Sequence, residues 1–399
     1  MDYYDLLLAK NLGGNGGGSG GSTEWKRPAD WPDLSKLDRT GEVLYLTYPA
    51  DVDYGFIVLT VTSNCYVDIG HIESNEFVQE TRYEPTSNSS ARYYFGSESG
   101  GYKVIRITPR ANNYSISKID LFYSGQGNVD GNAVCSTCQR VLEIFGNAPY
   151  CATFDLRQCS FLQSVDVKNL KTAPSFGRCL QLKNIVLGGI DTSNVTDLSS
   201  RFEETNLEKI DLSSWNTSNV TNFSNMFKNC TNLKELVLPS GFVKSSATTL
   251  ASMFANDYVL ESVNMSGWNT SNVTTMEYLF GNCYCLLSGD LSSLNMSSMT
   301  SDNATRNIFE HSKLKVFRFP STLTKFNGNA FWNNTIVAMF SPTLHFESTT
   351  PPALVNSLPS FAQGGKIYVP YSADHSILNA YKTATNWINY ADYIFEESA

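Results

Sequence analysis

A leucine that returns seven times constrains this chain more than any other feature. Aligned on the leucine that opens the pattern L-x-x-h-x-h, with h apolar, the copies start at Leu162, Leu182, Leu207, Leu233, Leu260, Leu286 and Leu314, spaced by 20, 25, 26, 27, 26 and 28 residues. The second apolar column holds Val165, Ile185, Ile210, Leu236, Val263, Gly289 and Phe317, and the third holds Val167, Leu187, Leu212, Leu238, Met265, Leu291 and Phe319. Only Gly289 breaks the rule. A fixed period of this length is the mark of stacked supersecondary units. Three aliphatic side chains contribute about 1.5–3 kcal/mol each on burial, whereas ordering the backbone costs about 1–2 kcal/mol per residue. One unit therefore cannot fold alone, and stacking on its neighbours is what stabilises it. The pattern predicts a solenoid of short parallel strands plus return segments, and it predicts that aspartate in place of Leu236 unfolds the array cooperatively.

Two further columns share the period. A polar block recurs as Asp191–Thr196, Trp215–Thr221, Trp268–Thr274 and, more loosely, Leu294–Thr300, and its short side chains are suited to bonding neighbouring backbone in a stacked turn. The Asn-x-Ser/Thr triplets at Asn194, Asn219, Asn272 and Asn303 fall in or near such blocks, so a turn role is favoured over glycosylation. Met226-Phe227, Met253-Phe254 and Leu279-Phe280 follow the blocks and are expected to pack the opposite wall. Cys159, Cys179, Cys230 and Cys283 each stand three residues before a repeat leucine, a phase that predicts a buried thiol ladder; by the same count Glu204, Asp257 and His311 are its equivalents elsewhere.

The unit Leu207-Glu-Lys-Ile-Asp-Leu-Ser-Ser-Trp-Asn-Thr-Ser-Asn-Val-Thr-Asn-Phe-Ser-Asn-Met-Phe-Lys-Asn-Cys-Thr-Asn-Leu233 resembles a repeat of the BspA-like leucine-rich repeat surface proteins, over about residues 156 to 335. The tail, with Lys366-Ile-Tyr-Val-Pro370 and Ala380-Tyr-Lys-Thr-Ala-Thr-Asn-Trp387, is similar to the closing segments of that family. The resemblance implies an adhesive protein of bacterial surfaces with no catalytic residues in the repeat. The front of the chain, a Tyr/Leu leader, the glycine tract Gly13–Gly21 and Trp25-Lys-Arg-Pro-Ala-Asp-Trp31, resembles tail-fibre-like proteins of gut phages and prophages. No secretory signal is read at the N terminus, which fits a virion protein released by lysis.

The resulting organisation is a leader helix and glycine tether (1–23), an all-β sandwich-like domain (24–128), the leucine-rich repeat array (129–340) and a strand-helix C-terminal cap (341–399). The sandwich follows from short β-branched and aromatic runs with no helical stripe between them. Composition narrows the function: with 42% hydrophobic and 17% charged residues the chain is expected to fold. A net charge of −9 does not offer the phosphate neutralisation on which nucleic-acid affinity rests, and no apolar stretch is long enough for a membrane span.

Catalytic constellations are weak. Cys135 and Cys138 form a CxxC with no second pair at zinc spacing. His71, His311, His345 and His375 lie in no nucleophile or metalloprotease motif. The expectation is a non-enzymatic protein without cofactor or metal. Function then falls to the outward strand positions, Ser164, Asn184, Lys209, Glu235, Ser262, Ser288 and Val316 in one column and Asp166, Val186, Asp211, Val237, Asn264, Asp290 and Arg318 in the next. Asp166, Lys209, Asp211, Glu235, Asn264, Asp290 and Arg318 are the nominated ligand contacts, and Trp215 and Trp268 are alternative sugar-stacking groups. The expected function is receptor binding by a phage or prophage tail-fibre-like protein, or alternatively adhesion by a bacterial cell-surface protein. Its partner would be a bacterial or host surface protein or glycan, its location the virion tail or the cell surface, and a homo-oligomer is an allowed state.

Overall fold

A computed structural model describes residues 29, 31–49, 56–62, 64–86, 91–94, 102–121, 141–331, 342–359, 361 and 364–398. The expected leader helix, the glycine tether and the Cys135–Cys138 pair lie outside the described residues.

The β-branched and aromatic runs of the front segment form β1 (Val43–Pro49), β2 (Phe56–Val61), β3 (Cys65–Glu73), β4 (Glu76–Tyr83), β5 (Ala91–Tyr94), β6 (Tyr102–Pro109) and β7 (Lys118–Asp120). β3 and β4 make a hairpin whose two turn residues, Ser74 and Asn75, both have positive φ, the geometry that matches the strand twist. A register shift follows Ile69, and a Cβ at Gly70 would sit 1.9 Å from the Val78 carbonyl oxygen, so only glycine admits that approach. Further along come β8 (Glu143–Asn147), β9 (Thr153–Asp155), β10 (Ser164–Lys168), β11 (Asn184–Gly188), β12 (Lys209–Asp211), β13 (Glu235–Val237), β14 (Gly289–Asp290) and β15 (Val316–Phe319). The tail adds β16 (Lys325–Asn327), β17 (Thr343–Phe346), β18 (Ala353–Val355), β19 (Lys366–Val369), helix α1 (Ser376–Thr383) and β20 (Ile394–Glu396).

Two sheets run across residue 128. The first has the order β11-β10-β8-β1-β6-β3-β4, antiparallel from β4 to β8 and parallel from β8 onward, with Glu143, Ser164 and Asn184 in one row. The second has the order β5-β2-β7-β9, with β7 and β9 parallel, and a parallel bridge then joins Asp155 to Ser175. The sheets of the front segment thus continue directly into the repeats, and Pro32–Ala399 form one compact unit. β8 escaped the leucine pattern for a visible reason. In its register Val141 takes the place of the opening leucine and Gly146 that of the third apolar residue, where a Cβ would stand 2.2 Å from the Val43 carbonyl oxygen.

The return wall is continuous through the middle of the chain. Parallel bridges link Asp197, Asn222, Thr249 and Thr275, and the Phe202, Phe227, Phe254 and Phe280 N–H groups donate to the Met226, Met253, Leu279 and Ile308 carbonyls at 2.9–3.0 Å. Behind this ladder the same phenylalanines stack. Centroids are 5.6 Å apart for Phe202–Phe227, 5.4 Å for Phe227–Phe254 and Phe254–Phe280, and 5.9 Å for Phe280–Phe309, with interplanar angles of 5–11°.

The strand wall is not continuous. β12 pairs only with β13, and β14 opens a second parallel sheet, β14-β15-β17-β19-β20. The repeat that opens at Leu260 forms no strand, contrary to the expectation of one strand per repeat. Its neighbour Gly289 is the one break in the apolar columns, and the structure shows what replaced the side chain: a Cβ there would lie 2.6 Å from Phe317 Cδ1. Phe317 fills the space a branched residue would occupy. Valine at Gly289 is expected to destabilise by about 1–3 kcal/mol through overpacking, and Phe317→Leu in the same chain should recover much of the loss. Urea denaturation of the single and double variants checks this, and additive losses would show that the two positions do not compete for one volume.

Candidate recognition face

The turn block behaves as stacked polar residues should. Ser193, Ser218, Ser271 and Ser297 N–H groups donate to the Oδ1 of Asp191, Asn216, Asn269 and Asn295 two residues earlier, each closing a tight turn. Thr192, Thr217 and Thr270 are buried, and their hydroxyls donate to the Asn216, Phe242 and Asn295 carbonyls of the following repeat. Asn219 and Asn272 spend their amide N–H on the Ser193 and Ser245 carbonyls at 2.7 Å, so these asparagines bind repeat to repeat.

The thiol ladder exists, but its frame differs from the leucine count. A column of left-handed residues, Gln158, Arg178, Glu204, Asn229, Asn256, Asn282 and His311, has φ between 54° and 65°. The residue after each is buried: Cys159, Cys179, Thr205, Cys230, Asp257, Cys283 and Ser312. Glu204 and His311 therefore belong to the left-handed column and not to the thiol column, because two repeats are one residue shorter between this turn and their leucine. Cys179, Cys230 and Cys283 donate through Sγ to the Leu156, Phe202 and Phe254 carbonyls at 3.0–3.1 Å, and burial pushes all three thiols up. Cys65 and Cys151 are likewise pushed up to about 12 by burial. Thiolate chemistry is disfavoured at each of these sites.

Each histidine ring has a partner of its own. His71 Nδ1 meets Glu80 at 2.7 Å, His375 Nδ1 meets Glu396 at 2.6 Å, His345 pairs with Glu397, and His311 meets Asn282 Oδ1 at 2.5 Å. Among the described residues no three of His, Cys, Asp and Glu gather as a metal site would require. No helix among them is long and apolar enough to cross a membrane.

The outward strand positions separate into tied and open ones. Ser164 is buried, holding the Asn184 amide at 3.0 Å, so it does not face outward as expected. Asp166 is held by Arg39 at 2.8 Å, whose guanidinium also lies 4.1 Å over the Phe145 ring. Lys209 and Glu235 are opposite each other in register and pair at 2.6 Å. Arg318 is half-buried on β15. Asp211, Asn264 and Asp290 each accept the N–H two residues on, from Ser213, Ser266 and Ser292, at 2.9–3.0 Å. That bond occupies one carboxylate or amide oxygen and leaves the rest of each side chain exposed. Trp215 and Trp268 are buried, at 4% and 6% exposure, and Trp215 packs 5.9 Å from Phe202; sugar stacking on either ring is overturned.

Of the seven nominated residues the structure pairs Lys209 with Glu235 and brings Asn264 and Asp290 to one cleft. That cleft, of about 320 Å³, lies beside the strandless segment of the repeat at Leu260. Ser262 and Ser288 continue its rim, and Val263, Met265, Leu286 and Phe280 supply apolar walls. These serines were in the outward columns without being nominated. The signal that marks them is Gly289, beside Ser288 and Asp290, where the strand wall begins again.

The class defined by these features is a mostly β, multi-sheet repeat protein. Residues 169–255, 196–326 and 239–349 match the family described as "Mycoplasma protein of unknown function, DUF285". Comparison with curated proteins gives no match.

Proposed function

We propose that the chain is a non-enzymatic recognition protein of the bacterial surface. In this reading the repeats are a leucine-rich repeat solenoid, the front sandwich starts it by lending both of its sheets, and the segment from β17 to β20 with α1 closes it. The cleft between Asn264 and Asp290 carries the reading, since it places exposed polar groups beside apolar walls on the outward face. The buried thiols and the paired histidines support it from the other side, because each already has a structural task.

Two settings fit. The resemblance of the repeats to the BspA-like surface proteins favours a cell-surface adhesin, and the resemblance of the N-terminal sequence to tail-fibre-like proteins favours a receptor-binding protein of that kind. Immunogold electron microscopy on the producing culture, with antibody against the repeats, separates them: label on particle tails supports the virion reading, and label on envelopes with bare particles supports the adhesin. The recognition reading itself predicts saturable binding of the purified full-length chain to bacterial cells, read by flow cytometry. A chain that binds no cells of the source community would end it.

A further inference from the structure

We infer that the cleft between Asn264 and Asp290 binds a neutral mono- or disaccharide. The inference rests on the recognition reading above and narrows it to one site and one ligand chemistry.

The cleft is a consequence of the break in the strand wall. The N–H groups of Ser262, Val263, Asn264 and Met265 find no hydrogen-bond partner among the described residues, because the segment pairs neither with β13 nor with β14. The Ser262 and Ser288 hydroxyls stand in the same lining, the Ser288 oxygen accepting the Asp290 N–H at 3.2 Å with its O–H still able to donate. Asn264 contributes an amide, and Asp290 is the one acidic residue among the lining residues. A sugar presents the matching set, hydroxyls that donate to a carboxylate and accept from N–H groups, with C–H faces that suit Met265 and Leu286.

Two other ligand chemistries fit less well. No lysine or arginine lines the cleft, and Asp290 repels negative charge, so a phosphate, sulfate or uronic acid would enter without a counter-ion. A volume of about 320 Å³ lies at the lower end of the roughly 300–1,000 Å³ typical of small-molecule sites. It suits a compact polyol better than an extended peptide. The side chain of Asp290 retains one oxygen for such a ligand, because the Ser292 N–H uses only Oδ1.

Saturation-transfer NMR and calorimetry on the full-length chain test the inference with glucose, galactose, mannose, N-acetylglucosamine and lactose, and with glucuronic acid as the anionic comparison. At least one neutral sugar should bind saturably and more tightly than glucuronic acid. Ser288→Leu, at an exposed position, fills the rim and should weaken that binding roughly tenfold or more. Asp290→Asn keeps the acceptor for the Ser292 N–H, so the turn survives, and should weaken it several-fold. Absence of saturable binding across all five neutral sugars, or binding that Ser288→Leu leaves unchanged, overturns the inference. Cell binding measured in parallel distinguishes the two failures: if cells are still bound, only the saccharide site falls, and if they are not, the recognition reading falls with it.

Discussion

Phe254→Ala should lower the unfolding free energy by about 3–5 kcal/mol, the range for deleting a fully buried aromatic ring. Phe254 is completely enclosed, and its ring stacks 5.4 Å from Phe227 on one side and 5.4 Å from Phe280 on the other. Each such ring pair is worth about 0.5–1.5 kcal/mol beyond area burial. The loss compares with a total stability of about 5–15 kcal/mol for an ordinary domain. Because each repeat is stabilised by its two neighbours, a defect at the centre weakens both interfaces at once. Urea denaturation followed by far-UV circular dichroism should show one earlier transition, or a split into two if the array uncouples at this point. Leu287→Ala is the control: Leu287 is 72% exposed, and its loss should stay within about 0.5 kcal/mol. An unchanged midpoint for Phe254→Ala would mean that the phenylalanine ladder does not hold the array. Leu236, the position singled out by the leucine pattern, is only half-buried, so the return wall and not the strand wall is the more sensitive place to probe.

That difference shows which part of the fold was legible. The leucine columns could be read because burial fixes residue type, and the structure buries every repeat-opening leucine except the half-buried Leu314. The polar block could be read because serine, threonine and asparagine at fixed offsets have few ways to bond a stacked turn. Turn length was harder. The column Gln158, Arg178, Glu204, Asn229, Asn256, Asn282 and His311 is defined by left-handed backbone, which asparagine favours but does not own. Where glutamate or histidine stands there, sequence offers no marker, and the frame slipped by one. Strand pairing was harder still. Val263 and Met265 satisfy the apolar pattern, yet their segment makes no strand.

Which outward strand positions stay open was legible only in part for a related reason. Exposed side chains carry no packing constraint, so Lys209, Glu235 and Asp166 looked as available as Asn264 and Asp290. Pairing across strands decided otherwise: Lys209 and Glu235 neutralise each other, and Arg39, from a distant segment, claims Asp166. Asp211 stays open as well, but Asn264 and Asp290 are the open positions that line one cleft, beside Gly289, where Phe317 took the missing side chain's place.

Asp257→Cys should stabilise the protein at neutral pH by about 1–3 kcal/mol, the cost of a buried polar atom without a partner. Asp257 occupies the thiol column between Cys230 and Cys283, fully buried, and one of its oxygens accepts the Cys230 N–H at 2.8 Å while Oδ2 has no partner. Burial pushes its carboxyl well above the ordinary carboxylate range, and the Cys230 N–H offsets only part of that. The titratable groups that face it are the two thiols, themselves pushed up, so no cation stabilises the charged form. A carboxyl whose pKa is raised by folding is at its most favourable below its unfolded pKa, near 3.9. Its contribution is lost as pH rises through the folded value, because the unfolded state then gives up its proton more readily. The natural chain should thus lose stability on going from about pH 4 to pH 8 more steeply than the variant. The general self-repulsion of a chain with net charge −9 acts on both and cancels in the difference. Cysteine is the suitable replacement because the Cys230 N–H also reaches the Phe227 carbonyl at 3.0 Å, the bond that the Cys179 and Cys283 N–H groups make without a carboxylate. Thermal melts of both proteins across that pH range give the two slopes. Parallel slopes would show that Asp257 is not protonated in the folded core, and a variant less stable at every pH would show that its single hydrogen bond outweighs its burial.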